Sequence, residues 1–206
     1  MKRAMFVLVL MCFFSGCARR EENYTSCPIG EGKERWTEKH IKADSTIAHY
    51  ESWFGNGRKR SEGGYSNGKK DGHWTEWDQR GQKDEEGDYV NGKKQGLWIQ
   101  WWDNGVKRSE GRYAEGKEEG HWIWWDRWNG GKESEGDYND GKRRGHWTWW
   151  GYNGLKELEG DYVDDIKTGQ WTAWYPNGQK REEGRYVDGK EDGQWNRWDE
   201  KGQELE

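Results

Sequence analysis

The sequence has few of the aliphatic residues from which compact cores are built. Only 30% of its 206 residues are hydrophobic and 35% are charged, a balance that is typical of disordered chains. Disordered chains are also poor in aromatic residues, whereas this chain has 18 Trp and 10 Tyr. We therefore expect order over most of the chain, with buried aromatic rings in place of an aliphatic core.

Proline, cysteine and long blocks of one charge are also scarce. Only 2 Pro accompany 31 Gly at fixed positions, which argues against a low-complexity chain. If Cys17 is lipidated after cleavage, Cys27 is the one cysteine left and cannot form an internal disulfide. We interpret Cys27 as a free thiol, with an intermolecular bridge as the alternative. Basic and acidic residues, 34 and 39 in number, are interleaved without a basic stripe, so no nucleic-acid partner is predicted.

The chain begins with a short basic segment and one apolar run. Lys2 and Arg3 precede residues 4–14, a run that is too short to span a bilayer. This order predicts an export signal over residues 1–16. The alternatives are a plain cleaved signal peptide and a buried apolar helix.

A lipid attachment site follows this run. Residues 14–17 read Phe-Ser-Gly-Cys and resemble a bacterial lipobox, in which the cysteine becomes the first residue of the mature protein. The resemblance implies lipidation at Cys17 and a membrane anchor without a spanning helix. By resemblance to enteric lipoproteins, Ala18 implies the outer membrane. We therefore expect a lipoprotein of the bacterial cell envelope, on either its periplasmic or its surface face.

A repeat of about 24 residues fills most of the remaining chain. Two aromatic positions each recur at intervals of 24, 24, 25, 24 and 24 residues, and a fixed period in this range is typical of repeat arrays. We predict a tether and degenerate N-terminal cap over residues 17–49 and the array over residues 50–206. The repeated tyrosines are Tyr65, Tyr89, Tyr113, Tyr138, Tyr162 and Tyr186. The repeated tryptophans are Trp74, Trp98, Trp122, Trp147, Trp171 and Trp195.

Each unit contains two turn signals, of which Asn91-Gly92 and Asn104-Gly105 are examples. Asn-Gly suits tight hairpins because the turn residues need positive φ. The runs between the turns have the length of ordinary strands. Each unit is therefore predicted to be one β-hairpin. The fold class is predicted as all-β, with an antiparallel meander of about six to seven repeats in an elongated twisted sheet or open solenoid.

The alternation of residues indicates how the strands pack. Glycine recurs inside one strand of every clean unit, as at Gly111, and we expect it to make room for an indole of the next strand. Trp98 and Trp101 are predicted to lie on opposite faces. The pattern leaves open which face is buried. In the second and third units we assign this structural repeat to Tyr89, Gly96, Trp98, Trp101, Gly111, Tyr113, Trp122 and Trp125.

The repeated motif is Tyr-x-x-Gly-Lys-x-x-Gly-x-Trp-x-x-Trp-x-x-Asn-Gly-x-Lys-x-x-Glu-Gly. It resembles the bacterial variant of the MORN repeat from about residue 50 to the C-terminus. The resemblance implies an extended β-hairpin scaffold for contacts with proteins or lipids. Some bacterial variants are labelled as antitoxins, and no active site is defined for them.

The repeated polar residues suggest structural roles rather than catalysis. Equivalent residues of successive units lie two strands apart, roughly 9–10 Å, which is too far for one zinc ion to join any two of His73, His121 and His146. The glutamates of the Glu-Gly pairs recur in equivalent copies, whereas a catalytic pair needs two different environments. We expect these glutamates on a solvated face with Lys or Arg partners across the strands. We predict no enzyme activity, no cofactor and no metal.

We expect a noncatalytic, lipid-anchored scaffold that binds an unknown protein partner. A binder of wall glycans through aromatic rows is the second hypothesis, and an immunity or antitoxin protein is the third. Function is expected where the units differ, at the aromatic residues outside the shared motif. These predicted binding residues are Trp102, Trp124, Trp128, Trp149, Tyr152 and Tyr175. One interval is 25 residues long because the turn at residues 127–131 carries an inserted residue. The alternative for the six aromatic residues is extra packing around this insertion.

Overall fold

The computed structural model describes residues 18–20, 24–26, 34–42 and 45–205, with side chains from residue 49 onward. In this part of the chain the regular structure is all β-strand, which confirms the predicted fold class. A search of the same residues finds no helix with the length and apolar character needed to cross a membrane.

Two short strands, β1 (Ala18–Arg20) and β2 (Tyr24–Ser26), pair with each other in a small separate sheet. The next 15 strands form one antiparallel sheet in which neighbours in the chain are neighbours in the sheet, as the meander prediction requires. Those strands are β3 (Glu34–Lys42), β4 (Ser45–Trp53), β5 (Lys59–Ser66), β6 (Lys69–Trp77), β7 (Lys83–Val90), β8 (Lys93–Trp101), β9 (Lys107–Ala114), β10 (Lys117–Trp125), β11 (Lys132–Asn139), β12 (Lys142–Trp150), β13 (Lys156–Val163), β14 (Ile166–Trp174), β15 (Lys180–Val187), β16 (Lys190–Trp198) and β17 (Glu204–Leu205). The sheet is open, with β3 and β17 as its outermost strands.

From β5 to β16, tyrosine strands of 8 residues alternate with tryptophan strands of 9 residues. The tyrosine strands are the odd-numbered ones and the tryptophan strands are the even-numbered ones. A first turn joins each tyrosine strand to the following tryptophan strand, and a second turn leads to the next unit. All first turns therefore lie on one side of the array, at one end of the strands. All second turns lie at the other end of the strands, and we call that side the second-turn edge.

The first turns are two-residue hairpin turns. Asn91 and Gly92 have φ of 51° and 83°, the pair of positive values that a type I′ turn needs. The unit that has no glycine at this turn has the same geometry, because Asp164 and Asp165 adopt φ of 50° and 69°. Asp165 is held there partly by Arg143, whose Nε donates to the Asp165 carboxylate at 2.9 Å.

Two bulges interrupt the pairing in each unit. In β8, Gly96 (φ 70°) lies between residues that pair with β7, because Gln95 pairs with Asp88 and Trp98 pairs with Gly87. A second register shift follows in the next strand, where Arg108 is the extra residue. At Arg108 one residue is extra, so the following side chains turn to the other face. In β8 two residues are extra, Gly96 and Leu97.

The first tryptophan of each unit marks the buried face of the sheet, which we call the indole face. Trp98 is 2% exposed although the sheet has a single layer. Its ring lies against Gly87, and Tyr89 and Tyr113 meet it edge-on at centroid distances of 5.0 Å and 6.1 Å. The Lys94 ammonium lies 3.8 Å from the centre of the Trp98 ring. Each indole is thus enclosed by its own hairpin and its neighbours, which confirms the expected role of the Glu-Gly glycine.

The second tryptophan of each unit lies on the opposite face, which we call the lysine face. Trp101 is half-buried there, with Lys83 Nζ 5.6 Å from its ring centre. Lys83 also pairs with Glu86 of its own strand. The expected lysine partner of the repeated glutamates is present, but the expected cross-strand geometry is wrong. The bulge places residues three apart on one face, so the pair forms within a strand.

Candidate functional site

The structure divides the six predicted binding residues between two places. Four of them lie in the second turns, along the second-turn edge: Trp102, Trp128, Tyr152 and Tyr175. The other two, Trp124 and Trp149, lie on the indole face within β10 and β12.

Trp124 and Trp149 fill gaps between successive repeat indoles. Trp124 stacks between Trp122 and Trp147, with centroid distances of 5.6 Å and 5.5 Å. Trp149 stacks in the same way between Trp147 and Trp171, at 5.6 Å and 6.0 Å. Offset stacking of this kind stabilises aromatic packing beyond the area buried. These two rings therefore strengthen the core of the array, and their role in binding stays a prediction.

Trp102 and Tyr175 each form a hydrogen bond with the next repeat unit. Trp102 Nε1 donates to the carbonyl of Trp125 at 2.9 Å, and Tyr175 Oη donates to the carbonyl of Trp198 at 2.9 Å. Both side chains are half-buried. Their polar atoms are thus engaged within the protein, while part of each ring remains accessible.

Trp128 and Tyr152 are the open aromatic rings of this edge, with exposed fractions of 75% and 72%. They occupy consecutive second turns, residues 126–131 and 151–155. The turn at Trp128 contains the inserted residue of the 25-residue interval, as predicted, and its amide nitrogens are held by Asp126 Oδ1, which accepts from Trp128 N at 2.8 Å. The Asn129 side-chain amide then donates to the carbonyl of Tyr152, which ties the two turns together.

Two arginines alternate with the rings at this edge. The Arg108 guanidinium carbon lies 5.1 Å from the ring centre of Trp102. Arg127 lies 6.0 Å from the same ring and 4.9 Å from the ring of Trp128. We call the four side chains Arg108, Trp102, Arg127 and Trp128 the arginine–tryptophan row. Cation–π contacts of this kind stabilise and orient the guanidinium planes.

Two carboxylates near the arginine–tryptophan row, those of Asp103 and Asp84, differ in their ion pairs. Asp103 pairs with Arg127 and, at 3.4 Å, with Arg80. Arg127 Nε is buried and has no hydrogen-bond partner among the described residues. Asp84 lies near Arg108 without an ion pair between them in the described part of the chain. Burial and then Glu85 raise the pKa of Asp84, and Arg108 opposes this effect.

The second-turn edge also holds neighbouring repeats together. The asparagine of most second turns donates its side-chain amide to a carbonyl 23 residues ahead, and we call this set the asparagine ladder. Asn104 bonds the carbonyl of Arg127 at 2.6 Å, and Asn177 bonds that of Glu200 at 2.7 Å. The aromatic residues of the edge therefore stand on a backbone that is fixed from turn to turn. The ladder consists of Asn56, Asn104, Asn129, Asn153 and Asn177.

The repeated histidines lie on the surface, as predicted. His73, His121 and His146 are exposed, and each Nδ1 lies 2.8–3.0 Å from an aspartate of the neighbouring strand. Each of these three histidines therefore has its own carboxylate partner.

One cluster near the start of the array has the donor set of a cation site. Potential ligand atoms of His49, Glu51 and Glu62 lie within 4.8 Å of one another. Lys59 contacts both carboxylates, at 2.8 Å from Glu51. Burial lowers the pKa of Lys59, but its hydrogen bonds to Glu51 and Glu62 outweigh this and raise it above the ordinary value. The lysine thus supplies the positive charge for this cluster.

Sequence reasoning did not single out Arg108, Arg127 or the asparagine ladder. Arg108 is the extra residue of a bulge, and the bulges were not located from the alternation of residues. Arg127 carried a weak signal, because it lies next to the inserted residue and to Trp128.

No protein-family model matches the chain, and a search of curated proteins finds no match either. The resemblance to the bacterial MORN variant therefore stays a prediction from the motif. The predicted lipidation at Cys17, the signal over residues 1–16 and the free thiol of Cys27 lie outside the described residues.

Proposed function

We propose that the protein is a noncatalytic scaffold that binds a protein partner through the second-turn edge and is held in the cell envelope by a lipid at Cys17. The observation that carries the proposal is the pair of open rings, Trp128 and Tyr152, on consecutive turns. Tryptophan, tyrosine and arginine are the residue types most enriched among the energetically dominant residues of protein interfaces.

The rigidity of the edge supports the same proposal. Asn129 links the turn of Trp128 to the carbonyl of Tyr152. Leu155, 45% exposed, adds an apolar side chain in the second of these turns. A surface whose backbone is fixed before binding loses little conformational entropy when a partner docks.

Photo-crosslinking in intact cells tests the partner. A photo-reactive residue in place of Leu155 should yield one discrete crosslinked protein. Replacing Trp128 and Tyr152 with alanine should abolish that product. The matched control is Val163→Ala at the opposite edge, where the side chain is 53% exposed, and it should leave the product intact. Retention of the product in the Trp128/Tyr152 double variant would contradict the proposal.

A glycan is the second candidate for this surface, because two open rings on adjacent turns also suit stacking on sugar rings. Sedimentation with purified cell wall distinguishes the two. Retention on the wall that is lost in the same double variant, together with no crosslinked protein, would favour the glycan.

The anchor is tested separately by fractionation. Cys17→Ala should release the protein from the membrane fraction, and Cys27→Ala should not. Membrane association that survives Cys17→Ala would remove the lipid from the proposal and leave the interaction surface standing.

A further inference from the structure

One guanidinium of the arginine–tryptophan row has no acidic partner among the described residues. Arg108 is exposed, stacks on Trp102, and has no hydrogen bond or ion pair with any described residue. Arg127 is engaged by Asp103, and Arg80 by both Asp78 and Asp103. The five N–H donors of Arg108 are therefore free for a ligand, in a plane that the indole already orients.

The neighbouring carboxylate, Asp84, leaves the N–H donors of this arginine free. Asp84 forms no ion pair with Arg108 in the described part of the chain. Burial, Glu85 and Glu76 make it harder for Asp84 to ionise, because they raise its pKa against the effect of Arg108. A free, oriented guanidinium favours a carboxylate, which it can bind through two parallel hydrogen bonds.

Other free arginines do not have this setting. Arg60 is the closest comparison, because it occupies the same bulge position in the first full unit and lies 5.8 Å from the ring of Phe54. The turn that follows it in the array, residues 78–82, carries no aromatic residue. Among the residues whose side chains the structure describes, it is near Arg108 that the next turn along this side of the sheet presents an open indole, at Trp128.

We propose that the second-turn edge recognises an acidic segment of its protein partner, with a carboxylate bound by Arg108 and an apolar side chain packed on Trp128 and Tyr152. The inference rests on the proposed function and specifies the chemistry of its partner. The three contacts that link Arg108 to Trp128 are 5.1, 6.0 and 4.9 Å long, and together they set an upper limit on the separation of these two side chains. An extended segment at ~3.3 Å per residue reaches that limit in about five residues.

The test uses short Gly-Ser peptides that carry one Glu and one Leu at this spacing, with binding followed by NMR of the indole N–H signals. The full-length protein should bind the Glu-Leu peptide about tenfold more tightly than its Gln-Leu counterpart, because hydrogen bonds from a guanidinium to a charged carboxylate are stronger than those to a neutral amide. Replacing Leu with Ser should also weaken binding. Arg108→Gln should abolish the preference for Glu, and Arg108→Lys should reduce it.

Arg60→Gln is the matched control and should keep the full preference. A preference for Glu that survives Arg108→Gln overturns the inference, and so does the absence of any response to the Glu-Leu peptide. Binding of polygalacturonate without binding of the peptide also overturns it, because the acidic ligand would then be a glycan. If the crosslinked partner is lost in the Trp128/Tyr152 double variant but kept in Arg108→Gln, the scaffold stands and carboxylate recognition fails.

Discussion

The indole of Trp98 lies flat against Gly87, the residue with which it pairs across the hairpin. A Cβ atom at Gly87 would lie 2.6 Å from Trp98 Cγ and closer still to two further ring atoms. The six Glu-Gly glycines meet the six repeat indoles in the same way. The sheet can therefore bury large rings without a second layer, because each ring uses the space above a glycine.

Gly87→Ala should destabilise the array by about 1–3 kcal/mol, since the added methyl group overpacks a filled site. Urea unfolding followed by tryptophan fluorescence measures the change. In a double-mutant cycle, the same substitution in a Trp98→Leu background should cost much less, because the ring that causes the clash is gone. Equal costs in the two backgrounds would disprove the steric explanation.

Gly96→Ala tests a different physical cause, because a Cβ at Gly96 would meet no atom within 4 Å. Its φ of 70° lies in the left-handed region, where an L-residue costs roughly 1–2 kcal/mol. Gly96→Asn should recover much of that loss, since asparagine tolerates this conformation. Alanine and asparagine variants of equal stability would contradict the assignment of the bulge.

The tyrosines of the indole face should make stability depend on alkaline pH. Burial, with Glu85 and Glu76, raises the pKa of Tyr89 from 10.0 to about 12. Between these values the unfolded chain loses a proton that the folded chain retains, so stability is full below pH 10 and falls as the pH rises toward 12. The slope is at most about 1.4 kcal/mol per pH unit for one tyrosine.

Urea midpoints measured across this range should fall, and Tyr89→Phe should make the decline shallower. Tyr152→Phe is the control, because the Tyr152 ring is 72% exposed. An unchanged slope in Tyr89→Phe would show that other groups cause the alkaline loss.

The asparagine ladder should couple neighbouring repeats. Asn129→Ala removes the bond to the Tyr152 carbonyl and the acceptor of Gly131 N at 2.7 Å. We expect a loss of about 1–2 kcal/mol and faster hydrogen exchange of amides in the turn at residues 151–155. Asn104→Ala should instead affect the turn at residues 126–131. Exchange that increases equally in both turns in either variant would contradict pairwise coupling.

Much of the fold could be predicted from the sequence because the same pattern of turn residues, glycines and aromatic residues recurs in each unit. The packing of the Trp122 indole against Gly111 was predictable, because glycine is unfavourable inside a strand unless another group needs its space, and an indole recurs at a fixed distance from it. A lysine or arginine partner across the strands was predicted for Glu110, whereas its partner, Lys107, lies in the same strand. Simple alternation puts residues three apart on opposite faces, and only the bulge at Arg108 brings them together.

The candidate site was less accessible from the sequence. Excess aromatic residues identified Trp128 and Tyr152 but could not separate them from Trp124 and Trp149, because composition does not reveal which rings find a partner to stack on. The contacts of Arg127 depend on how one turn overlies the next, and that offset is a property of the assembled sheet.

Each bond of the asparagine ladder joins a side chain to a carbonyl 23 residues later in the sequence. The first turns form hydrogen bonds to carbonyls a similar number of residues earlier, as where Gly116 N donates to the Lys94 carbonyl at 2.9 Å. Removing residues 83–106 would join Gln82 to Lys107 and leave a turn followed by an intact tyrosine strand. We therefore expect that whole hairpins can be removed from the chain or added to it while the remaining turns and strands stay intact. The number of hairpins would then set the distance between the proposed anchor at Cys17 and the proposed binding residues Trp128 and Tyr152.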